Sequence, residues 1–172
     1  MSKRARQYIG ILAAVVAYYV VHEGAHLVYA LITGTFKRIN FMTLGVQVDV
    51  FAERMSDTQM GVFCLVGAVA TFAAAYVLVL LAGRIAKAKS KLLRAVVYYI
   101  TVALLLLDPL YLSLLCGLFG GGDMNGIALL VPELAARLGF GVLLGLNALA
   151  FLKRVLPVYS RSFSESGTEE VK

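Results

Sequence analysis

The chain has 172 residues, of which 60% are hydrophobic, and its mean hydropathy is +0.84. Soluble domains have about 45–50% apolar residues, so this composition indicates a membrane protein and argues against an ordinary soluble domain. The net charge of +6 does not indicate a nucleic-acid partner, because the basic residues cluster at the ends of apolar runs.

Four apolar segments are long enough to be membrane-spanning helices, which need roughly 20 apolar residues. They are residues 8–34, 59–83, 95–119 and the shorter, glycine-rich 138–156. The stretch 126–136 is too short to span and is predicted to be a re-entrant or interfacial piece. We therefore predict an all-α polytopic membrane protein with one domain over residues 1–159. The Ser- and Glu-rich tail 160–172 is predicted to be disordered.

Residues 36–51, between the first two apolar segments, have a different pattern. Valines at positions 46, 48 and 50 alternate with polar residues, which is the period of a β-strand. Gly45 is suited to a turn between two short strands. The sequence thus predicts a short β-hairpin-like segment after the first helix.

Basic residues are distributed unevenly between the two predicted membrane faces. Twelve of the 16 lie in the N-terminus, in the loop around 84–94 and in the C-terminal part, whereas Lys37, Arg38, Arg54 and Arg137 lie on the other side. By the positive-inside rule, this count predicts a multi-pass protein of the cell membrane with both termini in the cytoplasm.

The sequence "HEGAH" places His22, Glu23 and His26 inside the first apolar segment. On a helix, residues four apart share a face, so both imidazoles can reach one Zn²⁺ at about 2.0–2.1 Å. Glu23 lies further around the helix, where it can take a proton from a zinc-activated water. This pattern is typical of zinc metalloproteases. A charged residue near the bilayer centre costs about 2.5–3.5 kcal/mol, which disfavours a chance occurrence.

A catalytic zinc site needs a third protein ligand, and two aspartates are candidates. Asp108 lies in the third apolar segment at about the depth of His22, roughly 20 Å from the cytoplasmic end at 1.5 Å per residue. It also precedes Pro109, so it is suited to cap a second half-helix. Asp123 follows three glycines, which can fold the chain back or simply form a turn. The residues alone leave both aspartates open.

Taken together, "HEGAH", the strand region, "GAVATFAAA" (67–75) and "GGGDMNG" (120–126) resemble the site-2 protease family of intramembrane zinc metalloproteases. The resemblance covers roughly residues 8–126. It favours Asp123 over Asp108 as the third zinc ligand, and it implies a substrate-binding role for Thr71, Asp108 and Asn125. Two positions depart from the family pattern: Thr71 stands where Asn is usual, and Met124 replaces a glycine.

The resemblance implies a zinc-dependent endopeptidase whose partners are the lipid bilayer and a membrane protein or peptide substrate. A transmembrane substrate must unwind before hydrolysis, because its backbone groups are already paired. The strand near residues 46–50 can receive it by edge pairing, or can merely cap the site. The family's sites often face the cytoplasm, whereas the charge count places His26 nearer the other face. The sequence therefore leaves open which face of the membrane the site opens to.

Two other function classes compete with the protease. A small transporter would use His22, Glu23, His26 and Asp108 as an ion or proton path, and a regulatory membrane protein would carry an inactive site. Glu23 discriminates between them, since only hydrolysis requires an acid at that spacing between the two histidines.

Overall fold

The computed structural model of the protein describes residues 1–42 and 45–168. Within this part, long helices are joined by short connections, with one two-stranded antiparallel sheet after the first helix. The elements are α1 (Lys3–Ile32), β1 (Phe36–Met42), β2 (Gly45–Val50), α2 (Asp57–Ile85), α3 (Lys91–Leu110), α4 (Asp123–Ile127), α5 (Glu133–Ala150) and α6 (Leu156–Thr168). Short π-helical turns extend α3 beyond Leu110 and join α5 to α6.

Four helical stretches of the described chain are long and apolar enough to cross a membrane. They are Lys3–Ile32, Asp57–Ile85, Lys91–Leu118 and Glu133–Ser164. The four predicted segments are thereby confirmed as helices of this kind, although each helix begins earlier than predicted. The added first turns are polar, and hydropathy does not detect them. Ser2, Ser56 and Ser90 cap α1, α2 and α3 by accepting a hydrogen bond from the backbone N–H three residues on.

The predicted hairpin is confirmed as the antiparallel pair β1 and β2. Ile39 lies opposite Val48, and Met42 lies opposite Gly45, which begins β2. Residues 43–44, which join the strands, lie outside the described residues. Val48 is the buried residue of β2, and this strand contacts α1. The hairpin is therefore fixed against the helix that carries the histidine motif.

The chain reverses direction after α3, at three consecutive glycines. Gly120, Gly121 and Gly122 have φ angles of +77°, +87° and +50°, a region that residues with a side chain rarely adopt. The reversal starts α4 at Asp123 and packs α4 against α2. The stretch 126–136, predicted as a separate piece, instead joins the end of α4 to the first turn of α5.

The C-terminal part differs from the predicted disorder. Helix α6 runs to Thr168, and residues 169–172 lie outside the described residues. Composition did not anticipate this helix because tertiary contacts stabilise it. Tyr159 is fully buried beside Tyr98, and the buried Arg94 guanidinium donates to the Ser162 carbonyl oxygen at 2.9 Å.

The two ends of the helix bundle carry different features. Lys3 of α1, Lys91 of α3 and Ser164 of α6 line one cavity, so these three helix ends meet at one end of the bundle. The hairpin and the glycine turn lie at the other end, where α4 contacts α2. The histidine motif of α1 lies closer to the hairpin end, ten residues or fewer before Ile32.

Candidate metal centre

His22 and His26 lie one turn apart on the face of α1 that is turned into the bundle. Their side chains are buried, with 7% and 2% of the residue surface exposed. The two Nε2 atoms are 3.1 Å apart, as the i and i+4 spacing predicts for two ligands of one metal ion. The two imidazoles of the motif are thus brought together at one point.

Asp123 completes a triangle with these two nitrogens. Its Oδ2 atom lies 3.0 Å from Nε2 of His22 and 3.5 Å from Nε2 of His26. The glycine turn brings it there, because Asp123 is the first residue of α4 after the chain reverses. Asp108 lies on the opposite side of the His22 ring. Of the two candidate aspartates, only Asp123 faces both Nε2 atoms.

The far nitrogen of each imidazole contacts an acceptor. Nδ1 of His26 lies 2.7 Å from the Phe63 carbonyl oxygen, and Nδ1 of His22 lies 3.2 Å from Oδ1 of Asp108. A carbonyl oxygen can only accept, so Nδ1 of His26 carries a proton, and the Asp108 carboxylate favours the same tautomer at His22. When both rings are neutral in this tautomer, they direct the Nε2 lone pairs towards each other and towards Asp123.

The Asp123 carboxylate needs positive charge beside it. Burial by itself would raise the pKa of the Asp123 carboxyl group, but when His22 and His26 carry protons their hydrogen bonds and charge attraction outweigh it and lower the pKa to about 2. The carboxylate is ionised at neutral pH. Its negative charge and the two facing nitrogens can be balanced either by protons on the imidazoles or by a metal ion.

The separations of these atoms fit a zinc ion. Ligands at 2.0–2.1 Å in tetrahedral geometry are about 3.3 Å apart, and the observed separations of 3.0, 3.1 and 3.5 Å lie on both sides of that value. Two imidazoles and one carboxylate are also a usual donor set for catalytic zinc. The acceptors behind His22 and His26 match the outer contacts that orient metal-bound histidines.

Asp108 is the centre of a buried polar cluster behind His22. It is 1% exposed and receives hydrogen bonds from the hydroxyls of Tyr18 and Thr71. Thr71 is itself fully buried. The structure therefore places Thr71 and Asp108, both predicted to bind substrate, behind the histidine ring and away from the open cavity.

Glu23 points away from this cluster and towards the hairpin. Its Oε2 atom accepts a hydrogen bond from the Val48 backbone N–H at 2.9 Å. Potential ligand atoms of His22, Glu23 and His26 all lie within 4.8 Å of one another. Asp123 is the third corner of the triangle, because its Oδ2 lies 3.0 and 3.5 Å from the two Nε2 atoms. Glu23 lies beside this triangle.

A cavity of about 680 Å³ lies between β2 and the glycine turn. Glu23, His26 and Asp123 line one part of it, and the whole of β2 lines another. Asn125, predicted to bind substrate, also lines the cavity, where its amide donates to the Gly120 carbonyl oxygen at 3.0 Å. The acid, one histidine and the third corner of the triangle are therefore accessible from one space.

Sequence reasoning did not foresee the contacts that four groups make in this site. They are the Tyr18 hydroxyl, the Phe63 carbonyl, the Val48 N–H and Gly67. Gly67 lies directly against the imidazoles, because an added Cβ would come within 2.6 Å of Nε2 of His26. Helical spacing could have indicated two of the four, because residues four apart share a face of a helix. Tyr18 precedes His22 by four residues, and Gly67 precedes Thr71 by four. Backbone groups carry no such signal.

Comparison with protein-family models, with curated proteins and with solved structures found no match. The resemblance to the site-2 protease family stays a prediction.

Proposed function

We propose that the chain is an integral membrane zinc endopeptidase of the site-2 protease type, acting on peptide bonds of membrane-embedded substrates. One observation carries the proposal. Two imidazole nitrogens and a carboxylate oxygen converge within 3.0–3.5 Å, beside a glutamate that lines an open cavity.

The outward faces of the helices support insertion in a bilayer. Large apolar side chains there are highly exposed, including Leu80 at 83%, Ile32 at 79% and Leu12 at 66%. So many exposed large apolar side chains indicate contact with lipid or with another protein, since water would disfavour them. With the basic helix ends in the cytoplasm, the cavity beside the hairpin belongs to the opposite half of the membrane.

His22, His26 and Asp123 are the residues that would hold the zinc ion. The chemistry that zinc supplies when bound is Lewis-acid chemistry: it activates a water molecule and polarises a carbonyl group. Asp108 and the Phe63 carbonyl hold the two imidazoles in the tautomer and orientation that this role needs.

Glu23 acts as the general base and then as the general acid. Its carboxylate takes a proton from the attacking water as the oxygen bonds to the scissile carbonyl carbon. It then gives this proton to the leaving amide nitrogen as the C–N bond breaks, so that a carboxylate and an amine are released. The Val48 N–H orients Glu23 towards the cavity before substrate arrives.

The edge of β2 is the place for the unwound substrate. The Val48 N–H points away from β1 and towards α1, so this edge of the hairpin faces the cavity. An extended peptide that pairs with this edge would lie beside Glu23 and Asp123, with its backbone groups satisfied in a water-poor environment.

The proposal is tested with the full chain in liposomes and two synthetic single-span peptides. One carries Gly and Pro at mid-span, which helps the helix to unwind, and the matched control is all-Leu there. We expect the wild type to cleave the first peptide faster, Glu23→Gln to lose cleavage while keeping its zinc, and a chelator to abolish cleavage until zinc is restored. Cleavage that persists in Glu23→Gln would contradict the assignment.

A proton path is the second candidate, and one observation favours it. Tyr18, Asp108, His22 and Asp123 form a continuous chain of hydrogen-bonded titratable groups from the buried interior to the cavity. Such chains occur in membrane proton relays. This function predicts proton uptake by liposomes that is independent of zinc and is retained in Glu23→Gln.

A further inference from the structure

A second cavity, of about 550 Å³, lies at the end of the bundle remote from the candidate metal centre. Residues from α1, α3 and α6 line it. Lys3, Arg6 and Gln7 belong to the first turns of α1, and Lys91 and Tyr98 to the start of α3. Helix α6 contributes Ser160, Phe163 and Ser164.

Helices α1 and α3, which line the cavity, approach one another closely at Gly10. At Gly10 the two helices are so close that an added Cβ would lie 2.5 Å from the Tyr99 ring and 3.3 Å from the Ala95 carbonyl oxygen. The basic side chains line the cavity nearer the helix N-termini. Tyr99 and the Gly10 contact form the apolar floor of the cavity.

The described lining carries three positive charges and no acidic side chain. Lys3, Arg6 and Lys91 supply the charge, while Tyr98, Tyr99 and Ser160 supply hydroxyls. Arg6 is partly buried and also donates to the Met1 carbonyl oxygen at 2.7 Å, which holds its guanidinium near the cavity. This arrangement suits a compact anion with several acceptor oxygens.

We propose that this cavity binds a phosphate-bearing anion, the headgroup of an anionic phospholipid. Cations drawn from different helices at the cytoplasmic end of a membrane bundle are the usual setting for anionic headgroups. The flanking tyrosines are suited to headgroup depth, where one end of the ring is wet and the other apolar. The rings of Tyr99 and Phe163, which line the cavity, offer contact to the upper acyl chains. The proposal is independent of zinc and of the proposed hydrolysis.

The test measures lipid binding to the purified full chain by native mass spectrometry. The probes are phosphatidylglycerol, phosphatidylcholine and inorganic phosphate. The cavity variant is Lys3→Gln/Arg6→Gln/Lys91→Gln. The matched control, Arg84→Gln/Lys87→Gln/Lys89→Gln, removes the same charge from exposed positions in the last turn of α2 and the α2–α3 connection, at the same end. Helicity and thermal stability of each variant are compared with the wild type, and single substitutions replace the triple variant if it does not fold.

We expect phosphatidylglycerol to bind the wild type at least tenfold more tightly than phosphatidylcholine. Each cavity cation is expected to contribute about fivefold, and the cavity variant should lose the preference while the control keeps it. Failure of millimolar phosphate to displace the lipid would identify a lipid headgroup; displacement would identify a soluble phosphate-bearing ligand of the same chemistry. Equal binding of the two lipids, or equal loss in both triple variants, would overturn the proposal.

Discussion

Replacing Gly67 with alanine tests how closely α2 must approach the two imidazoles. The added Cβ would lie 2.6 Å from Nε2 of His26 and 2.8 Å from Nε2 of His22. Ordinary contact needs about 3.5 Å, so one or both rings must move by roughly 0.7–0.9 Å. The rings cannot move freely, because Asp108 and the Phe63 carbonyl hold their Nδ1 atoms.

The size of the expected effect follows from the permitted range of metal–ligand distances and from the free-energy cost of an inserted methyl group. Metal–ligand distances must remain within about 0.2 Å of their ordinary values, which is several times less than the forced movement. Insertion of one methyl group into a packed interior costs about 1–3 kcal/mol, or roughly fivefold to 150-fold in an equilibrium constant. We therefore expect Gly67→Ala to weaken zinc binding at least tenfold.

Gly83→Ala is the matched control on the same helix, because a Cβ there meets nothing within 4 Å. Both substitutions gain the same helix propensity, about 1 kcal/mol, so that contribution cancels between them. Zinc affinity is measured by competition with a chromophoric chelator. Wild-type affinity in Gly67→Ala, or equal weakening in both variants, would refute the close approach of α2 to a metal centre.

The remaining predictions concern the general base Glu23, the contact of Asp108 with His22, and the zinc ion itself. Glu23→Gln should keep about one zinc per chain and lose cleavage by about 10²–10⁴-fold, measured on the helix-destabilised peptide, since only proton transfer is removed. Asp108→Asn should weaken zinc binding 10–100-fold in the chelator competition, whereas Asp49→Asn, which breaks an ion pair of the hairpin, should not. Zinc at 100 times its Kd should stabilise the wild type by about 2.7 kcal/mol, seen as a higher Tm, and should leave the Tm of His22→Ala unchanged.

The elements of the fold could be predicted because their signals are local. Long apolar runs predicted the four helices, and alternation at residues 46–50 predicted the hairpin. The first turns and helix α6 could not be predicted in this way. Serine caps are polar, and α6 depends on distant partners such as Arg94 and Tyr98, which no local pattern reveals.

The pairing of the two histidines could also be predicted, because a helix fixes residues four apart. The position of the aspartates could not. Counting depth along α3 favours Asp108, and this residue does lie level with His22, but it contacts the wrong nitrogen. Asp123 reaches the Nε2 atoms only because three glycines with positive φ fold the chain back. Backbone conformation at those glycines therefore decides which carboxylate faces the two nitrogens.

The most direct test of the central claim is the metal content of the purified chain. Zinc is measured per chain in the wild type and in His22→Ala, Asp123→Ala and Asp49→Ala, each shown to be folded by its helicity. The geometry predicts about one zinc in the wild type and in Asp49→Ala, and loss of zinc in the other two. A folded wild type that binds no zinc would contradict the account and favour the proton path.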